Sequence, residues 1–304
     1  TLAKKATDLE NRSPEVPELK AVPSPGDWGR HVLISKTPIE QIWKFINPMM
    51  MYGRHLGVKG GTVRKLTASS ETPSLREEIR RDDPKVYALF EKVEEVKSQY
   101  GHQKEMVPKA VYGFFRARSE GNSIHIYDQD GGSVLQTFKF PRQDKRPFYC
   151  IADFVSTDLE LQDSVGLFAV TVGEGVRETA EKLKEDGDYL KSHILQVLAL
   201  ESAEAYAEFI HSQMRRSWGM PDSPQMTMLE RFQAKYQGKR YSFGYPACPQ
   251  LADQRRLFDV LRPEDIGIEL TDGFMMDPEA SVSGMVFHHP QAAYFSVGRI
   301  EEDE

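Results

Sequence analysis

The chain is predicted to be an α+β domain, with a mainly antiparallel, twisted sheet flanked by helices. Three observations predict it. Apolar residues recur at helical spacing in separate blocks, and strand-like runs come in hairpin-like pairs between those blocks. Nothing from Arg30 onward has the composition of a linker, so 30–304 is expected to form one large body. Residues 1–29 differ: Pro14, Pro17, Pro23 and Pro25 stand among charged residues with few aliphatics, which reads as a proline-rich linker. No basic stretch leads into an apolar core there, so no signal peptide is expected.

Each element follows from its own pattern. Ile39, Ile42, Trp43 and Ile46 keep helical spacing after Thr37, the expected N-cap, and the helix should end near Pro48. Residues 76–81 mix both charges and suit a solvated helix face. From Pro84 to Tyr100 the apolar positions Val86, Leu89, Phe90, Val93 and Val96 predict a second amphipathic helix. Residues 123–127 and 134–138 flank Asp130-Gly131, a hairpin signal. Residues 150–155 and 165–171 read as mostly buried strands, with 286–287 and 294–297 as late ones.

From about Arg177 to Trp218 a long helix is predicted. One stripe at three- and four-residue steps passes through Leu190, Ile194, Val197, Glu201, Glu204, Glu208 and His211, so a single face turns from apolar to acidic. Glu201 and Glu208 are expected to mark where that stripe emerges into solvent.

Composition sets limits. A hydrophobic content of 39% with 28% charged residues is ordinary for a soluble globular protein, and no apolar run approaches the roughly 20 residues that span a bilayer. A net charge of −7 argues against a nucleic-acid surface, which needs clustered Lys and Arg. With only Cys150 and Cys248 there is no disulfide framework, and a reducing, cytoplasmic location is expected. No Cys-x-x-Cys or His-Glu-x-x-His is present, and the adjacent His288 and His289 would point to opposite faces of a strand, so no metal site is expected.

The most informative run is Arg240-Tyr-Ser-Phe-Gly-Tyr-Pro-Ala-Cys-Pro249. It places a guanidinium four residues ahead of Gly244, and Pro246 and Pro249 then fix the backbone on either side of Ala247 and Cys248. This is a rigid binding loop whose arginine offers a planar fork matched to a carboxylate. Further runs accompany it in order: Phe148-Tyr-Cys-Ile-Ala-Asp-Phe-Val155, Leu167-Phe-Ala-Val-Thr171, Ala203-Glu-Ala-Tyr-Ala-Glu-Phe-Ile-His211, Trp218-Gly219, Tyr236-Gln-Gly238, Ala280-Ser-Val-Ser-Gly-Met-Val-Phe287 and Tyr294. Together, along nearly the whole chain, they resemble the C-terminal S-adenosylmethionine-binding reactivation domain of cobalamin-dependent methionine synthase.

The resemblance implies a set of roles. Arg240 would pair with the carboxylate of S-adenosylmethionine, and Asp153 and Glu204 would face its cationic end. Gly244, Tyr245, Ala247, Tyr294 and Phe295 would complete that site, with Phe295 standing where relatives can carry a second tyrosine and Ala234 where the family has an acid. Ala280, Ser281, Val282, Ser283 and Gly284, with Tyr245, would face the corrin, although the small residues read equally well as a strand-entry turn.

The implied reaction is a repair: a flavodoxin-like donor reduces the cobalamin of a partner module, and the cobalt then takes the methyl group. That needs positioning rather than a general base, so no catalytic residue is assigned. The chain has neither the family's Asp-x-His-x-x-Gly, which ligates cobalamin, nor the cysteines of its zinc site. It is therefore expected to act as the methyltransferase module of a larger methionine synthase and to make no methionine alone. Its end at 300–304 falls short of the C-terminal helices of many relatives. A second reading keeps the fold as a free-standing adaptor that docks a corrinoid protein without methyl transfer.

Overall fold

The computed structural model describes residues 12–68, 72–128 and 130–298. Expectations for 1–11 and 300–304 lie outside the described residues. In chain order the elements are β1 (Arg30–Ile34), α1 (Ile39–Trp43), a π-helical turn (Met49–His55), α2 (Gly60–Ala68), α3 (Pro73–Asp82), α4 (Pro84–Tyr100), β2 (Lys109–Glu120), β3 (Ser123–Tyr127) and β4 (Val134–Lys139). There follow β5 (Ser164–Thr171), α5 (Val176–Glu185), α6 (Tyr189–Ser217), α7 (Met228–Phe232), β6 (Lys239–Tyr241), α8 (Gln254–Leu261), β7 (Glu269–Leu270), β8 (Met276–Asp277) and β9 (Ser281–Phe287).

Among the described residues the main sheet has 7 strands in the order β4-β3-β2-β5-β9-β6, with β1 paired to β2 outside that path. Every pair in it is antiparallel, so the predicted fold class holds. β5 lies at the centre and is buried along its whole length, as its near-continuous apolar sequence requires. Its side chains alternate between two cores: Phe168 and Val170 face one, while Val165, Leu167 and Ala169 face the other. α6 contributes more of the first core than any other element, through Ile194, Leu195, Leu198, Tyr206 and Ile210. On the opposite face α8 contributes Leu257, Phe258 and Leu261. The helix over 84–100 forms as predicted, with Pro84 at its first position and the Asp83 carboxylate accepting the Val86 N–H at 3.3 Å.

Five expectations are corrected. The helix over 177–218 is two helices, because Gly187 takes a left-handed φ of +84° and Asp188 caps α6 by accepting the Lys191 N–H at 3.2 Å. Residues 150–155 form a 3₁₀ turn (Ile151–Phe154) rather than a strand; Asp153 Oδ2 accepts the Cys150 N–H at 3.1 Å, a local bond that competes with strand pairing. Residues 294–297 form no strand, and the Val297 N–H turns instead to the Pro246 carbonyl at 3.1 Å. Thr37 does not cap α1, since its hydroxyl pairs with the Tyr206 hydroxyl at 3.1 Å and Pro38 occupies the N-cap. Finally, 12–29 does not hang free as a linker. Ser13 and Val16 are buried, Arg12 donates to the carbonyls of Asp153 and Val155, and the Gly26 N–H reaches the Ser217 carbonyl at 3.2 Å.

Candidate functional site

The site forms where the edge strand β6 meets the acidic face of α6. In β6 the strand alternation sends Tyr241 into the far core and leaves Arg240 on the helix side, opposite Val286 of β9. On α6, residues 201, 204 and 208 recur at helical spacing and share one face. Arg240 Nη1 donates to Glu208 Oε2, and the Tyr236 hydroxyl donates to the same oxygen at 3.0 Å. Burial works against the Arg240 charge, but Glu208 first, and then the Tyr236 and Tyr294 hydroxyls, outweigh it and raise the guanidinium pKa.

A second layer of charge lies behind this pair. The Arg215 guanidinium grips Asp222 with two hydrogen bonds of 2.9 and 2.8 Å, lies 3.6 Å over the Tyr236 ring, and comes within 3.6 Å of Glu208 Oε1. Arg231 Nη1 closes on Asp222 Oδ2, which it shares with Arg215. His211 is buried beside these cations; burial first, then Arg215 and Arg240, hold its pKa well below the usual imidazole value, so it stays neutral.

In front of Arg240 opens a cavity of about 630 Å³, within the range of small-molecule sites. Its walls include Phe45, Glu201, Glu204, Ala234, Val282 and Tyr294. A smaller cavity of about 360 Å³ adjoins it and is lined by Ser242, Pro246, Ala247 and Phe295. Both share Glu204, Arg240, Tyr245, Val282 and Tyr294, which therefore form the waist between them. The 240–249 run is as rigid as its prolines imply. The Gly244 N–H bonds the Cys248 carbonyl and the Cys248 N–H bonds the Tyr245 carbonyl, both at 2.9 Å, while Gly244 holds a φ of +85°.

Of the residues singled out from sequence, Arg240, Glu204, Tyr245 and Tyr294 converge at this waist. Ala247 and Phe295 border the smaller cavity, and Ala280, Ser281 and Val282 the larger. Gly244 shapes the turn and borders neither. Asp153 is elsewhere: it sits among the core residues of the opposite sheet face, with both oxygens held by Arg142 at 2.6 and 2.7 Å. A carboxylate so committed presents nothing to the groove.

Ser283 and Gly284 are also not at an open edge. The buried Ser283 hydroxyl donates to Gln254 Oε1 at 3.0 Å, and a Cβ on Gly284 would come within 2.6 Å of the Tyr241 carbonyl oxygen. The whole stretch 281–287 is strand, so the small residues 281–284 lie within it rather than in a strand-entry turn.

Sequence reasoning missed part of the site. Glu201 and Glu208 do not emerge into solvent; they are 5% and 7% exposed, whereas Glu204 between them is open. Their place on the apolar stripe was the available signal. Phe45, Asn47, Met50, Arg54 and His55 form the wall opposite α6, and nothing in their sequence ties them to residue 240. Glu201 meets His55 Nε2 at 3.0 Å, and burial first, then Glu204, push its pKa up to about 7. The two histidines at 288 and 289 are used structurally, bonding Asp163 Oδ1 at 2.6 Å and the Pro17 carbonyl at 3.1 Å. Among the described residues no group of three His, Cys, Asp or Glu is arranged to hold a metal ion, and no helix is long and apolar enough to cross a membrane.

Comparison with known proteins gives a consistent result. The family model for the activation domain of vitamin B12 dependent methionine synthase matches residues 68–304. Methionine synthase of Mycobacterium tuberculosis (strain ATCC 25618 / H37Rv) is 35% identical over 203 residues, covering 62% of this chain and 17% of that protein. Methionine synthase of Mycobacterium leprae (strain TN) is 28% identical over 308 residues, 97% of this chain and 24% of that protein. The chain thus spans no more than about a quarter of the length of these relatives. A crystal structure of the MetH reactivation domain bound to AdoHcy matches with a TM-score of 0.82 at 27% identity, over 99% of this chain and 90% of that one.

Proposed function

Because the chain belongs to the activation-domain family of vitamin B12 dependent methionine synthase, we propose that its groove binds S-adenosylmethionine and presents the methyl group to cob(I)alamin carried by a separate module. The observation that carries this is the convergence of Arg240, Glu204, Tyr245 and Tyr294 at one waist between two cavities. S-adenosylmethionine has a carboxylate, two cationic centres and an aromatic base, and the waist offers a guanidinium, an open carboxylate and two exposed aromatic rings. The bound AdoHcy of the similar crystal structure supports the same ligand class here.

Glu208, itself held by the Tyr236 hydroxyl, accepts from one edge of the Arg240 guanidinium. Among the described residues Nε and Nη2 make no hydrogen bond, so that edge is left for a ligand carboxylate. Glu204 then faces the ammonium or sulfonium, and Ala280 to Val282 border the same cavity without bulk. The bound sulfonium supplies an activated methyl group; the protein supplies alignment, which can be worth roughly 7–11 kcal/mol. On this reading the chain is the methyltransferase module of a cytoplasmic, multimodular methionine synthase in the methionine biosynthesis route. Its partners are the cobalamin module and a flavodoxin-like electron donor.

Calorimetric titration tests the reading directly. The wild-type chain should bind S-adenosylmethionine, and Arg240→Ala should weaken binding by on the order of ten- to a hundredfold, the value of a charge-assisted hydrogen bond. Absence of binding by the wild type, with retained docking to a cobalamin module, would favour the adaptor reading. Added homocysteine and methyltetrahydrofolate should give no methionine with this chain alone. With a cobalamin module and a one-electron reductant, label from the S-adenosylmethionine methyl should reach the cobalamin.

A further inference from the structure

One carboxylate of the groove has no part in the scheme above. Glu201 lies on α6 two turns before Glu208, is 5% exposed, and borders the 630 Å³ cavity. Its Oε1 lies 3.0 Å from His55 Nε2, on the π-helical turn across the groove. The run that resembles the family begins at Ala203, so nothing in that resemblance assigns Glu201 a role.

At 1.5 Å of rise per residue, Glu201 stands about 4.5 Å and Glu208 about 6 Å along the helix axis from Glu204, in opposite directions. Arg240 is anchored at the Glu208 end. A ligand whose carboxylate sits on Arg240 and whose body follows the helix therefore passes Glu204 and then reaches Glu201.

We propose that Glu201 and Glu204 together form the cation-recognising wall of the groove, and that Glu201 releases a proton to solvent when a sulfonium ligand binds. This rests on the S-adenosylmethionine reading and adds a residue and a proton to it. The charged groups around Glu201 explain why it is the one to titrate. Its own helix brings Glu204, which repels its charge; the π-helical turn brings Arg54 and His55; α7 brings Arg231, already engaged by Asp222; β6 brings Arg240, held by Glu208. Tyr236, Tyr245 and Tyr294 line the same cavity, and Ala280, Ser281 and Val282 bring no titratable group.

Burial and Glu204 push the Glu201 pKa up to about 7, so near neutrality a large share of Glu201 carries a proton. A cation settling between the two carboxylates stabilises the ionised form and lowers that pKa. The balance is simple: the carboxylic acid and the cationic ligand give a carboxylate–cation pair, and the proton goes to buffer.

The test compares S-adenosylmethionine with S-adenosylhomocysteine, which lacks the sulfonium charge, by calorimetry near pH 7 in buffers of different ionisation enthalpy. S-adenosylmethionine should release a fraction of a proton, S-adenosylhomocysteine markedly less, and Glu201→Gln should abolish the difference. As a second measurement needing no variant, the affinity ratio of the two ligands should rise on the order of tenfold between about pH 6 and pH 8. Equal proton release by both ligands, with a ratio flat in pH, would overturn the role of Glu201 and leave the S-adenosylmethionine reading standing. Failure of S-adenosylmethionine to bind would overturn both.

Discussion

Arg142 with Asp153 on one side of the sheet is a buried arginine–carboxylate pair and Arg240 with Glu208 on the other a part-buried one, and they are completed differently. Asp153 takes two hydrogen bonds from Arg142 at 2.6 and 2.7 Å and further ones from the Cys150 and Ser13 N–H groups at 3.1 and 3.3 Å. Arg142 in turn donates to Asn122 at 2.9 Å and to the Phe148 carbonyl at 2.7 Å. Around Glu208 the wiring is incomplete: Glu208 Oε1, His211 Nε2, Arg215 Nη1 and Arg231 Nε have no hydrogen-bond partner among the described residues. A fully bonded pair fixes the fold. A cluster with bonding capacity left over, beside a cavity, is where a charged ligand gains most.

Substitutions can break that contrast. The largest effect is expected from Asp153→Ala, which strands a buried guanidinium and should cost about 3–5 kcal/mol in chemical denaturation. Protein that remains folded should bind S-adenosylmethionine with unaltered affinity; a clear loss would mean that Asp153 reaches the ligand after all. Glu208→Gln should cost less, about 1.5–3 kcal/mol, because Arg215 retains Asp222 and Arg240 retains the groove. A cost equal to that of Asp153→Ala would erase the distinction between the two clusters.

The strand that carries Arg240 offers a third test. Gly284→Ala places a Cβ within 2.6 Å of the Tyr241 carbonyl oxygen, so β6 must shift away from β9. A stability loss of about 1–3 kcal/mol, with weaker ligand binding, is expected from denaturation and calorimetry. Binding left intact would show that Arg240 does not depend on that strand pairing.

The last test is in pH. Glu201 has an ordinary value of 4.5 when unfolded and about 7 when folded. The folded state therefore holds the extra proton between those values, and its stabilising contribution is complete below 4.5 and lost as pH rises through about 7. Denaturation midpoints should accordingly fall across this window relative to those of Glu201→Gln, and parallel pH profiles would show that Glu201 ionises normally.

Much of the fold was legible because local patterns determine it. The 84–100 helix, the hairpin around Asp130-Gly131 and the buried strand β5 each follow from spacing within a few residues. Asp186-Gly187-Asp188 was also a readable break, but the apolar stripe continuing past it concealed the end of the helix. The site was legible only where one segment carries its own geometry, as in the 240–249 turn. Asp153 was misplaced because its environment is set by Arg142 and by the N-terminal strap at Ser13, which no short motif contains. Glu201 and Glu208 were read as solvated because an acid on an apolar stripe usually is; here the turn at 49–55 and the Arg240 strand fold over them.

The spacing of the carboxylates on α6 also decides what kinds of sequence change this site tolerates. Each residue turns a helix by about 100°. One inserted or deleted residue between Glu201 and Glu208 would therefore swing one carboxylate out of the groove while the other stayed, separating the cation wall from the arginine anchor. Exchanges of side chain along this segment are graded in effect, but a change of length is all-or-none. The irregular turn at 186–188 has no such register to keep, so length variation in this part of the chain should collect there and stop at Tyr189.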